Sequence, residues 1–207
     1  MANAIAPRGL RPVRHLNGSP WNGQTEAFLI DSGNNTAVFV GDIVKQAGSA
    51  GVAGQVVNGM DVEGMATVIL AAGGTSGADI VGVVVGFLPD PTALGTKHRL
   101  ASTSRIALVC TDPSVVYEVQ EDAVGGNFDA DDIGLLVAFT TTAGNSTTGI
   151  SKMALDSSDL TATSGYPLKL LGLSKRVGNA FGLSTTDAGW FEVMFNTGVR
   201  MPNVVGA

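Results

Sequence analysis

Apolar and polar positions along this chain come in short runs, and clusters of Gly, Pro, Asn, Asp and Ser separate them at close intervals. Residues 26–31, 66–71, 80–88, 106–110, 115–120, 135–140, 151–155, 168–173 and 190–196 each read as a strand, rich in β-branched or aromatic side chains. Residues 36–40 and 42–46 read as a strand pair, or as one strand bent at Gly41, and residues 48–59 as a glycine-rich connection. Between 106–110 and 115–120 lies Thr111-Asp112-Pro113-Ser114, where proline fixes φ and biases the residue before it to extended geometry. In the last run Trp190, Glu192 and Met194 face one way and Phe191, Val193 and Phe195 the other, so at least one face is buried. A helix signal arises only at Asp129, which is placed to cap one short turn with Asp132 three residues on. Turns at Gly73–Gly77 and at 141–149 complete the pattern, and residues 201–207 carry no order signal.

Strands this short, with no stretch suited to a βαβ crossover, predict an all-β fold: an antiparallel β-barrel or jelly-roll-like sandwich. Residues 1–25 stand apart. They hold Arg8, Arg11 and Arg14 and no acid, and their prolines and glycines exclude a regular helix. They read as an extended N-terminal arm, either a floppy tail or, as Leu10, Val13, Leu16 and Trp21 favour, an arm that lies on a neighbouring acidic surface. The expected organisation is arm 1–25, a barrel-like module 26–122 and a second β module 123–207 packed on the first.

Composition sharpens this picture. Of 207 residues, 28 are glycine and only 14% are charged, against 44% hydrophobic, which suits strands and turns better than helices. The net charge is −6, divided into +3 in the arm and −9 in the rest, so no basic footprint for nucleic acid exists. The longest apolar run, 80–88, is far short of the roughly 20 residues a membrane helix needs. The N-terminal arginines are not followed by the apolar segment of a secretory signal, so the expectation is a soluble protein made in the cytoplasm. The single cysteine, Cys110, reads as a small buried hydrophobe.

Catalytic chemistry is thin. Asp31-Ser32-Gly33 after an apolar run resembles the active-site turn of retroviral-type aspartic proteases, and Ile80-Val81-Gly82 echoes their second element. Asn34 and the plain valines after Gly82 depart from that pattern. Asp129, Asp131 and Asp132 lack the glycine and terminal glutamate of a calcium loop. His15, His98 and Cys110 are too few and too scattered for zinc. No nucleophile elbow or phosphate loop occurs. No catalytic residue, metal or cofactor is expected.

Several segments together resemble the decoration, or cement, proteins of tailed-bacteriophage heads. They are Gly9-Leu10-Arg11-Pro12-Val13-Arg14, Asn17-Gly18-Ser19-Pro20-Trp21-Asn22-Gly23, Gly41-Asp42-Ile43-Val44, Ile80-Val81-Gly82-Val83 and the run from Asp112 to Asp122. Asp132-Ile133-Gly134, Ala154-Leu155-Asp156-Ser157-Ser158, the run 168–173 and Asn179-Ala180-Phe181-Gly182 follow in order. The resemblance implies a non-enzymatic virion protein on the outer capsid surface. Its partners would be the major capsid protein and itself, as homodimer or homotrimer, with no nucleic acid and no membrane. Arg8, Arg11, Arg14 and Trp21 are the candidate capsid contacts, chosen by residue type. A tail, fibre or receptor-binding β module is the alternative reading, and the aspartic protease a third.

Overall fold

The structure, a computed structural model, describes residues 3–74, 79–163, 165–182 and 187–196. The described strands are β1 (Arg11–His15), β2 (Glu26–Ile30), β3 (Ile43–Ala50), β4 (Val56–Val57), β5 (Met60–Asp61), β6 (Ala66–Leu70) and β7 (Ile80–Phe87). They continue with β8 (Arg105–Cys110), β9 (Val115–Gln120), β10 (Leu136–Thr140), β11 (Ala154–Thr161), β12 (Leu168–Leu173) and β13 (Trp190–Phe195). The expected all-β, mainly antiparallel fold is what forms. Its one described helical turn, Ala130–Asp132, is built as predicted: Asp129 accepts from the Asp131 N–H, and Asp132 reaches back to the Asp129 N–H. Residues 75–77 of the predicted Gly73–Gly77 turn and the tail 201–207 lie outside the described residues.

Five strands close a barrel in the order β2-β6-β3-β7-β8. All its pairs are antiparallel except β2 with β6, where Leu29 lies beside Thr67. A six-stranded sheet runs β1-β9-β13-β12-β10-β11, and it curls until Leu155 in β11 meets Glu121 just past β9. The ribbon β4–β5 stands beside the barrel and tucks Val57 and Val62 against Leu29 and Ile106. Alternation along the strands divides the core. Phe28, Val44, Val68, Val84 and Val109 share one cluster in the barrel. Ile43, Val83 and Cys110 instead join Leu10, Tyr117, Phe139, Leu155 and Phe191 in a larger cluster that ties barrel to sheet.

Several elements differ from the sequence reading; the stretch 48–59, read as a connection, holds the end of β3 and the strand β4. The predicted neighbours 106–110 and 115–120 enter different sheets, because the Asp112-Pro113-Ser114 turn carries the chain from barrel to sheet. Sheet membership therefore changes at residues 111–114, not at 122. Residues 36–40 form no strand; Val38 and Val40 make single bridges to Arg99 and Ile150. Strand β11 runs on through the polar stretch Asp156-Ser157-Ser158-Asp159, whose Ser157 hydroxyl bonds Asp122 and the carbonyls of Val124 and Gly126. The first 25 residues are extended, as expected, but they are built into the fold. Strand β1 pairs with β9, and Leu10 is 1% exposed. Asn3–Ala6 lie along the sheet, where the Gln120 side chain holds the Ala4 carbonyl and the Ala6 N–H.

Candidate functional site: a cationic groove beside the N-terminal segment

Two glycines seat the N-terminal segment against the barrel. The Leu10 N–H donates to the Gly41 carbonyl at 2.9 Å, and the Gly9 N–H to the Met153 carbonyl at 3.2 Å. Both glycines have positive φ, +69° and +99°. A Cβ on Gly9 would lie 2.4 Å from the Gly41 oxygen, and one on Gly41 2.7 Å from the Arg8 oxygen. Side chains are excluded on conformational and steric grounds together. An isolated glycine after Val38-Phe39-Val40 was the available signal of close backbone approach.

Beyond this contact the surfaces part and leave an open groove of about 340 Å³. Leu10, Trp21, Val84, Val85 and Ile150 give it an apolar lining, and Arg8 and Arg11 also border it. The groove thus gathers three of the four residues singled out in the sequence. Neither Arg8 nor Arg11 makes a side-chain hydrogen bond or ion pair among the described residues, and both are exposed. Trp21 is half-buried against the main core beside the Cys110 thiol, and among the described residues its buried indole N–H has no hydrogen-bond acceptor. Burial pushes the Cys110 thiol up, so the cysteine is the inert core residue expected.

Arg14 is placed differently. It bonds Glu192 at 2.5 Å within the sheet. The reason is a row of charge across three strands: Arg11 opposes Glu118, and Glu118 opposes Glu192. Two carboxylates directly opposite repel. Arg14 neutralises Glu192, and Arg176 neutralises Glu118 while stacking on the Trp190 ring at 3.9 Å. Burial pushes the Glu118 carboxyl up, but bonds from Arg176 and Ser174 and the charges of Arg176 and Arg11 outweigh it and hold it below the usual range.

Next to Gly41 in the chain is Asp42, 2% exposed. Its carboxylate accepts from the Phe39 N–H at 2.7 Å and from the Ser151 hydroxyl, so it ties the 39–42 turn to the 150–153 segment. Burial raises its pKa to about 6 against the lowering effect of those two bonds.

Other constellations carry less. Asp31 is exposed; burial raises its pKa, but bonds from Ser32, Gln55, Ser104 and Gly33 together outweigh this and lower it. Sequence reasoning missed a meeting of His15, Asp112 and Ser114. His15 Nδ1 is 3.3 Å from both partners, while the Ser114 hydroxyl donates to Asp112 at 2.7 Å. A catalytic triad needs opposite ring nitrogens for hydroxyl and carboxylate. Here one nitrogen faces both, and the Ser114 N–H also donates to Asp112, so the cluster is a capped turn. Among the described residues no three His, Cys, Asp or Glu side chains group as metal ligands. No protein family, curated protein or solved structure matches this chain.

Proposed function

We propose that this chain is a decoration protein of a tailed-phage head, bound to the outside of the shell through its N-terminal face. The observation that carries the reading is the groove: Arg8, Arg11 and Trp21, picked by residue type, border one apolar recess on an otherwise acidic chain. The run of short motifs resembling cement proteins supports it as well. Two of those motifs, Gly9-Leu10 and Gly41-Asp42, meet at the base of the groove. Arg14 holds β1 in place, and Arg8 and Arg11 face the capsid. Modest contacts of this kind suit a repeated lattice, where many subunits together stiffen the shell.

The alternative, a tail, fibre or receptor-binding module that recognises surface glycans, has less support. Trp190 is covered by Arg176 and Tyr117 is buried, which leaves Trp21 in the recess and the partly exposed Tyr166 as the aromatics for a sugar-stacking platform. The test is to mix purified protein with undecorated heads, pellet them and count bound copies per head. Saturation at a multiple of the capsid symmetry, with greater heat resistance of the heads, is the expected result. No co-sedimentation would overturn the reading.

A further inference from the structure

Strand β7 runs past the end of the neighbour that covers it. Its partner β3 begins at Ile43, opposite Val83, and the preceding turn still bonds Val84: Gly41 N–H donates to the Val84 carbonyl, and Val84 N–H to the Asp42 carbonyl. There the covering chain turns away to bridge Ile150 and Arg99. Residues 85–87 continue with β8 on one side. Among the described residues their other side has no backbone partner. A strand edge with free N–H and C=O groups is a template for another strand. The pairing with β8 shifts register between Val84 and Gly86, and a bulge of this kind re-aims side chains beside a binding surface. Val84 and Val85 line the groove, so the open edge begins inside it.

Two further features say what fits. The lining from Leu10, Val85 and Ile150 is apolar, and at about 340 Å³ the space lies at the small end of ligand pockets. At its border Arg8 and Arg11 form no ion pair among the described residues. Glu118, which opposes Arg11 across the strands, is already held by Arg176 and Ser174, and Glu192 by Arg14. Unpaired guanidiniums on a chain of net charge −6 are complementary to an acidic partner, and the arginine fork matches a carboxylate in two bonds.

We infer that this groove is a strand-docking site, which takes an extended segment of the capsid protein with an apolar residue in the recess and a carboxylate between Arg8 and Arg11. Main-chain bonds to the free edge of β7 supply affinity, and the recess and the arginines supply specificity. The inference rests on the decoration reading for the source of the segment.

The experiment uses the full chain with undecorated heads. A photo-crosslinking residue is placed at position 85, and in separate variants Arg8 and Arg11 are changed together to Glu or together to Lys. Neither arginine makes a side-chain hydrogen bond or ion pair among the described residues, so the double Lys variant should melt with the parent. Glu at position 11 would face Glu118 across the strands and lower the melt, so binding is compared at a temperature below both transitions. The expected result is that crosslinks map to a single extended, acid-containing segment of the capsid protein. The double Glu variant should bind roughly tenfold more weakly or worse, with the double Lys variant in between. If the parent binds heads but the Glu variant binds equally, or if crosslinks fall on a second copy of this chain or on a segment without acids, this inference is overturned and the decoration reading survives. If the parent does not bind heads at all, both fall.

Discussion

Asp42 shows how one side chain couples to the surroundings of the groove. Its pKa in the folded protein is about 6, above the ordinary value of 3.8, because burial penalises the charge. The folded state therefore holds the proton more tightly than the unfolded chain does. Stability from this group is greatest below pH 4, falls as pH rises toward 6, and is lost above it. The full difference is on the order of 3 kcal/mol by the usual conversion. Asp42→Asn keeps an acceptor for the Phe39 N–H and removes the charge. It should raise the melting temperature at pH 7 and flatten the pH dependence between 4 and 6; equal slopes for variant and parent would refute the assignment. Gly41→Ala is the opposite case. A positive φ and a carbonyl 2.7 Å from the new methyl should cost at least about 2 kcal/mol, read as a lower midpoint in urea.

At the level of elements, buried arginines do work that helices do elsewhere. Arg99 has 0% exposure, and its guanidinium donates to four carbonyls, those of Asp31, Asn34, Thr36 and Thr103. Irregular backbone carries polar groups that must find partners, and one planar fork satisfies four of them. Arg105 repeats the device for Leu88, Thr96 and His98 while lying over Phe87. Arg99→Met should cost about 3–5 kcal/mol, since it strands buried carbonyls, and Arg99→Lys should restore only part of this in chemical denaturation. Arg14→Ala, by contrast, removes a half-exposed pair. A loss of about 0.5–1 kcal/mol with head binding unchanged is expected, and weakened binding would return Arg14 to the contact surface.

For the whole molecule, the N-terminal segment is the piece that joins everything. Leu10 enters the core shared by barrel and sheet, β1 extends the sheet, and Asn3–Ala6 lie across Gln120. Removing residues 1–25 would open that core, so the truncated chain should lose its cooperative thermal transition. A sharp melt near that of the parent would mean that the segment is dispensable to the fold. This is why the groove is better tested by surface substitutions than by deletion.

What the sequence determined by itself was local. The alternation at 190–195, the capped turn at Asp129 and the buried Cys110 depend on neighbours in the chain, and each formed as read. Arg8, Arg11 and Trp21 stood out by type alone, because a basic, tryptophan-bearing segment on an acidic chain is anomalous. Only the tertiary structure decided which strands share a sheet. β8 pairs with the distant β2 as well as with its predecessor β7, β9 pairs with the distant β1 and β13, and the Asp112-Pro113 turn is compatible with either a hairpin or a change of sheet. The same holds for the partners of Arg14 and Arg99 and for the meeting of Gly9 with Gly41. Long-range strand pairing sets these contacts, and local propensity does not say which distant strands pair.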